Sequence, residues 1–252
     1  MSHNKAKPIS AKDFFDVRAE SYHIVSRWAT NEDLNIKTDD FLDGIFGKIA
    51  VDIGAGTGIL ISRLQNFETK IALDISEEML SQIKDLSVAK VVGDVHQLML
   101  IDGSVDLIIC RQLLHYCDLA TAFQNLKRVL SHHGLVHIVQ VVDFERVPES
   151  WDQEWASFRN VCHRKHLRKA ELESFYRNNS LGVIRREYLK LRDEYSWDDF
   201  YMKHNVSDDR RKEVMCFFEM TPESVAKEID LRLDRAGIAY DRLFGFWLLK
   251  SV

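Results

Sequence analysis

Val51-Asp52-Ile53-Gly54-Ala55-Gly56-Thr57-Gly58 closes one structural pattern and opens another. Upstream, Lys48 to Ile53 is an apolar run that reads as a buried strand. Downstream, Ile59, Leu60, Ile61 and Leu64 keep a helical period. Glycines at alternate positions let the main chain turn sharply between the two and present bare backbone to a ligand. The spacing is Gly-x-Gly-x-Gly, one residue short of the Gly-x-Gly-x-x-Gly dinucleotide fingerprint. Asp52, Gly54, Ala55, Gly56 and Gly58 are therefore candidates to contact a nucleotide-bearing ligand other than a dinucleotide.

Outward from this loop, strands and helices alternate. Thr69 to Asp74 reads as a second strand, and Ser76 as the N-cap of the next helix, with Glu77 and Glu78 in its first turn. Ala89 to Val92 is a third strand and Val105 to Cys110 a fourth. Asp118 caps a helix with apolar positions Leu119, Phe123, Leu126 and Leu130, Gly134 is read as its stop, and Leu135 to Val142 is a fifth strand. Continuous apolar strands alternating with amphipathic helices imply a parallel sheet covered on both faces. Further on, Ala170 to Asn178 is helical, Gly182 to Tyr195 extended, Trp197 to Leu233 mostly helical, and Arg242 to Lys250 a last strand. Residues 147–168 and 196–239 read as helical insertions over one end of the sheet. Ala11 to Trp28 reads as one amphipathic helix, with Phe14, Phe15, Val17, Tyr22 and Val25 as its apolar contacts.

Composition narrows the class. A hydrophobic content of 46% over 252 residues supplies a full core, and no apolar run approaches a bilayer-spanning length. The net charge of −5 argues against a dedicated nucleic-acid binder. Cys110, Cys117, Cys162 and Cys216 form no Cys-x-x-Cys pair, and Met1 to Asp16 lacks an apolar signal core; both fit a cytoplasmic protein with free thiols. Without a linker or repeat, one domain is expected: an N-terminal helical lid (1–42), a binding core (43–146), and a cover with C-terminal strands (147–252). A homodimer is compatible with this organisation.

Ligands of open parallel sheets sit beyond the carboxyl ends of the strands. Asp74, 20 residues beyond Gly54, is placed to accept two ribose hydroxyls. Asp94 can accept from an adenine amino group, the Val95 N–H can meet a ring nitrogen, and Ile75 and Met79 offer apolar surfaces. Arg111 and Gln112 follow the fourth strand.

These pieces together resemble the class I S-adenosylmethionine-dependent methyltransferases, particularly the small-molecule group that includes quinone- and biotin-pathway enzymes. The matching stretches are residues 51–58, Leu73-Asp74-Ile75-Ser76-Glu77-Glu78-Met79-Leu80, Gly93-Asp94-Val95, and Asp102 to His115. Arg128-Val129-Leu130 is similar to the family's Arg-Val-Leu-Lys-Pro-Gly-Gly, with Ser131-His132-His133-Gly134 replacing its end. Phe15 to Tyr22 is similar to a helix whose aromatic closes over the cofactor. The likeness covers residues 12–145 well and the final strand weakly, and matches no substrate class over 147–239.

The resemblance implies an α/β, Rossmann-like, doubly wound, mostly parallel seven-stranded sheet with helical insertions covering the active site. It implies S-adenosyl-L-methionine as cofactor and a small-molecule acceptor. It further implies Tyr22 as lid, Arg18 as partner of the methionine carboxylate, and His115, after the fourth strand, as the candidate general base. Methylation of RNA or protein, an inert cofactor-binding subunit, and an NAD(P) oxidoreductase, against which the Gly-x-Gly-x-Gly spacing counts, are the competing readings. His132, His133 and His137 are read as structural, with no metal expected. The basic run Cys162 to Lys169 reads as a solvated helix start, and the aromatics of the insertions (Trp151, Trp155, Phe158, Trp197, Phe200, Tyr201, Phe217, Phe218) as packing that also lines an acceptor pocket.

Overall fold

A computed structural model of the chain describes residues 10–158, 165–204 and 206–252, the Val25 side chain excepted. The helix expected over Ala11 to Trp28 is broken. It comprises α1 (Ala11–Asp16), held by the Ser10 hydroxyl accepting from the Asp13 N–H, then α2 (Tyr22–Val25) and a 3-10 turn at Arg27–Thr30. Neither later piece has a side-chain cap, and Val17, expected as an apolar contact, is 83% exposed. Next comes α3 (Glu32–Leu42), capped by Asn31. Its buried Asn35 and Thr38 interrupt the apolar period, which hides the helix from a pattern reading.

Alternation follows, broken between β3 and β4, which no helix separates: β1 (Gly47–Ile53), α4 (Ile59–Arg63), β2 (Phe67–Asp74), α5 (Glu77–Ser81), β3 (Val88–Val92), β4 (Val105–Arg111), α6 (Leu119–Val129) and β5 (Leu130–Val142). Ser76 and Asp118 cap α5 and α6 as expected, accepting from the Met79 and Thr121 amides. Gly134 does not stop a helix. The chain passes directly from α6 into β5, and a Cβ at Gly134 would lie 2.8 Å from the Val105 carbonyl oxygen, so the glycine permits close strand approach instead. His132 and His133 consequently sit exposed on β5 rather than at a helix end.

The remainder is α7 (Glu149–Phe158), α8 (Lys169–Asn178), β6 (Leu181–Ser196), α9 (Trp197–His204), α10 (Arg211–Glu219), α11 (Glu223–Glu228), β7 (Arg232–Leu233) and β8 (Gly237–Ser251). The sheet runs β3-β2-β1-β4-β5-β8-β6, with the two-residue β7 added on β8. β3, β2, β1, β4 and β5 are parallel, and β8 is antiparallel to both its neighbours. The seven-stranded, mostly parallel Rossmann-like sheet is thus present, with one short strand beyond the expectation.

Both faces are covered. On β4, Ile108 and Cys110 pack with Phe123 and Leu126 of α6, while Leu107 and Ile109 pack with Leu60 and Ile61 of α4. Burial on alternate sides explains why these strands read as unbroken apolar runs. The insertions form a separate cluster in which Trp155, Phe200, Phe217 and Phe218 stack edge and face. Nearby, Arg168 pairs with Asp143 (3.2 Å) and Asp152 (3.1 Å), so this member of the basic run turns inward, whereas Lys165 is exposed and pairs with Glu171. Cys162, His163 and Arg164 lie outside the described residues. Among the described residues, no helix is long and apolar enough to cross a membrane, and no group of three His, Cys, Asp or Glu side chains could hold a metal ion. His137 is fully buried, its Nδ1 3.1 Å from the Trp247 carbonyl oxygen.

Candidate active site

The chain reverses its order of strand addition between β1 and β4, and a cleft of about 320 Å³ opens at their carboxyl ends. The glycine loop forms its floor. The Gly54 and Ala55 amides both donate to the Leu73 carbonyl (2.8 and 3.1 Å), fastening the loop to β2. Gly56 has φ +55°, and a Cβ there would press on Met79 at 3.1 Å, so bare main chain faces the cleft. Gly58 does something different. It does not line the cleft; it starts α4 at φ +74°, where a Cβ would meet Ile83 at 2.7 Å.

Asp74 ends β2 at the cleft wall, buried and doubly anchored. Its Oδ2 accepts from the Gly56 amide (2.8 Å) and its Oδ1 from the Ser76 amide (2.9 Å). Burial raises its pKa, opposed by those two amides. Each carboxylate oxygen has a second lone pair, so Asp74 can shape the loop and still accept a diol. Ile75, Met79 and the Gly93-Asp94-Val95 turn continue the same wall. Asp94 also shapes its own turn: its Oδ1 accepts from the His96 amide (2.9 Å) and lies 2.6 Å from the His96 ring. A nucleoside-sized ligand with vicinal hydroxyls fits this donor and acceptor set.

Asp52 sits behind the loop, in a smaller cavity with Tyr22, Trp28 and Arg111. Burial raises its pKa to about 7, with Arg111 opposing, and burial lowers that of Arg111 to about 10, with Asp52 opposing. Arg111 also donates to Asn35 Oδ1 at 2.7 Å and lies over the Trp28 ring, so it joins the lid segment to the sheet. Ala55 lines this rear cavity as well.

The roof comes from the N-terminal segment. Phe14, Phe15, Arg18 and Tyr22 all line the cleft; Phe15 meets Tyr22 and Tyr116 edge-on. Burial raises the Tyr22 pKa, so its phenol stays protonated. Arg18 does not stand toward the glycine loop alone: its guanidinium lies over Phe14 and donates to the Met202 and Lys203 carbonyls at 3.3 and 3.4 Å. His115 is buried beside the cleft, with Gln140 Nε2 3.0 Å from its Nδ1. The same Gln140 amide reaches Gln112 Oε1 at 3.2 Å.

The structure brings together every proposed cleft residue except Asp52, Ala55 and Gly58, which support the loop from behind. Gln112, named with Arg111 at the end of the fourth strand, lines the cleft too, and the structure adds Lys203, His204 and Arg242, which the sequence reading did not select. Arg242 carried a signal: it is a charged residue opening a strand that is otherwise apolar. Lys203 and His204 carried none, because their helix resembles any amphipathic surface helix. None of the eight insertion aromatics lines this cleft; Trp151, Trp155 and Phe218 border a separate small cavity.

Residues 51–138 match the family described as "Methyltransferase domain". A malonyl-[acyl-carrier protein] O-methyltransferase of Dechloromonas aromatica is 32% identical over 119 residues, which is 46% of this chain and 43% of that protein. The chain spans about half the length of such curated relatives. Among solved structures, the YcgJ protein of Bacillus subtilis superposes with a TM-score of 0.73 at 18% identity, covering 86% of this chain and 97% of that one. The phosphoethanolamine N-methyltransferase 2 of Haemonchus contortus, solved with S-adenosylhomocysteine, gives a TM-score of 0.60 at 16% identity, covering 98% and 61%. Residues 51–138 therefore match a methyltransferase domain, and the fold around them is shared with a solved methyltransferase. Family and site together support S-adenosylmethionine as its cofactor.

Proposed function

We propose that the chain is an S-adenosylmethionine-dependent methyltransferase acting on a small-molecule acceptor in cytoplasmic biosynthesis. The observation that carries this reading is the closure of the cleft. Arg18 reaches from the N-terminal segment to the C-terminal end of α9, and Arg27 pairs with Asp199 at 3.2 Å on the same helix. An RNA strand or protein loop needs an open groove, and here the roof and cover meet across it. Residues 1–42 act as the lid and 147–252 as the acceptor cover.

When bound, the sulfonium supplies an electrophilic methyl group. Asp74 would hold the ribose, the Gly54 to Gly56 backbone would cradle the methionine end, and Ile75, Met79, Asp94 and Val95 would receive the adenine. Tyr22 and Phe15 exclude water. The acceptor's proton is released. Orientation and desolvation supply much of the acceleration. His115, its ring held at Nδ1 by Gln140, orients the acceptor and takes the released proton.

Calorimetry tests the cofactor reading. S-adenosylmethionine binding is expected to vanish in Gly56→Arg and to weaken roughly tenfold or more in Asp74→Ala, from loss of charged hydrogen bonds. Unchanged affinity in both variants would sink it. His115→Ala is expected to retain cofactor affinity and lose turnover, measured by transfer of labelled methyl into metabolite extract and into RNA. Label appearing in RNA alone would replace the small-molecule acceptor.

A further inference from the structure

The cleft does not end at His115. Following the sheet order β3-β2-β1-β4, its wall passes Val95, Asp74, the glycine loop and Gln112, then continues to Arg242 on β8 and to Lys203 and His204 on α9. Its charge changes sign along that line. The lining carboxylates, Asp74 and Asp94, belong to the cofactor half, while Lys203 and Arg242 lie in the other half, with Arg18 in the roof between the N-terminal segment and α9.

Lys203 and Arg242 share the carboxylate of Asp193 on β6. Lys203 Nζ is 3.1 Å from Oδ2, and Arg242 places Nε 2.6 Å from Oδ2 and Nη2 2.8 Å from Oδ1. Tyr195 donates to the same carboxylate at 3.2 Å. All three ionic side chains are at least nine-tenths buried. Burial pushes the Asp193 pKa up, but Arg242 and Lys203 outweigh it and hold the carboxyl below its ordinary value. Asp193 meets Arg242 along its Nε and Nη2 edge, which leaves Nη1 turned away from that carboxylate. Two cations on one buried carboxylate are costly to a fold that needs only to tie three elements together, for which a single pair suffices. A planar guanidinium with an edge left over is suited to a carboxylate or phosphate.

We propose that the far half of the cleft is an anion subsite, in which Arg242 and Lys203 hold a carboxylate or phosphate group of the acceptor so that its nucleophilic atom lies against Gln112 and His115. This rests on the methyltransferase reading, which it deepens by assigning the acceptor class: a small acidic molecule. Asp193 positions the two cations without touching the acceptor.

The test is titration calorimetry of the full chain with phenyl phosphate, benzoate and its neutral isostere benzamide, at saturating S-adenosylhomocysteine. At least one anion is expected to bind tenfold or more tightly than benzamide, and which one tells a phosphate from a carboxylate acceptor. That preference should fall to about twofold in Arg242→Gln and in Lys203→Gln, and be partly kept in Arg242→Lys. A purely structural triad predicts no preference in the wild type, and that result overturns the proposal whether or not the variants fold. So does a preference that survives both Gln substitutions. Titrating S-adenosylhomocysteine alone, and the anions without it, separates the two readings. Anion preference without nucleoside binding sinks the cofactor assignment, whereas nucleoside binding without anion preference sinks only the subsite.

Discussion

Asp52 shows how one buried carboxyl couples the cofactor loop to pH. Its pKa in the folded chain is about 7, against an ordinary value of 3.8, because burial outweighs the attraction of Arg111. The folded state therefore holds a proton that the unfolded state releases between those values. Its contribution to stability is complete below about pH 4 and is lost as pH rises through 7, by roughly 4 kcal/mol in total. Asp52→Asn cannot ionise, so its urea-unfolding free energy is expected to fall less than that of the wild type between pH 4.5 and 7.5. Parallel pH curves would exclude the effect. At this scale the sequence was informative about identity but not direction. Asp74, Gly54 and Gly56 face the cleft as their positions at strand ends required. Asp52 and Gly58 share the same motif yet look backward, because alternation along a strand and a left-handed helix start decide orientation, and neither is visible in spacing.

At the level of elements, boundaries depended on local chemistry that the sequence did or did not spell out. The α6 cap was legible because Asp118 precedes an apolar period, and its carboxylate accepts from both the amide and the hydroxyl of Thr121 at 2.9 and 2.8 Å. Asp118→Ala is expected to cost about 1 kcal/mol in urea unfolding, with Asp118→Asn closer to the wild type. A loss shared equally by both variants would assign the effect to charge rather than capping. The far end of α6 was misread because glycine usually ends helices, whereas Gly134 is kept small by the facing Val105 carbonyl, a contact across strands. The N-terminal helix failed for a related reason. Hydrophobic spacing continues through 17–21, but Ala19 is buried and Val17 exposed, so tertiary packing set the break.

For the whole molecule, the parallel core was readable from alternation, whereas the cover was not, because its helices pack on one another rather than on a periodic sheet face. The meeting of lid and cover has a measurable consequence. The lid is fastened at Ser76–Asp16 (2.6 Å) and Thr57–His23 (2.7 Å), both beside the proposed cofactor site. Saturation with S-adenosylhomocysteine should slow tryptic cleavage at Arg18 and Arg27, roughly tenfold at ten times the Kd, if cleavage requires the lid to open. Cleavage at Lys227, on the exposed helix α11, should be unaffected. Equal slowing at all three sites would reflect global stabilisation instead.

The placement of β8 between β5 and β6 also bears on how the chain is made. Until residues 237–251 leave the ribosome, β5 and β6 each present an unpaired edge, and the neighbour they share is the last strand of this sheet in chain order. The anion subsite cannot form earlier either, since Arg242 arrives with that strand. Synthesis is thus the period when this protein most needs chaperone protection, and a late frameshift would remove a sheet partner and the acceptor's anchor together.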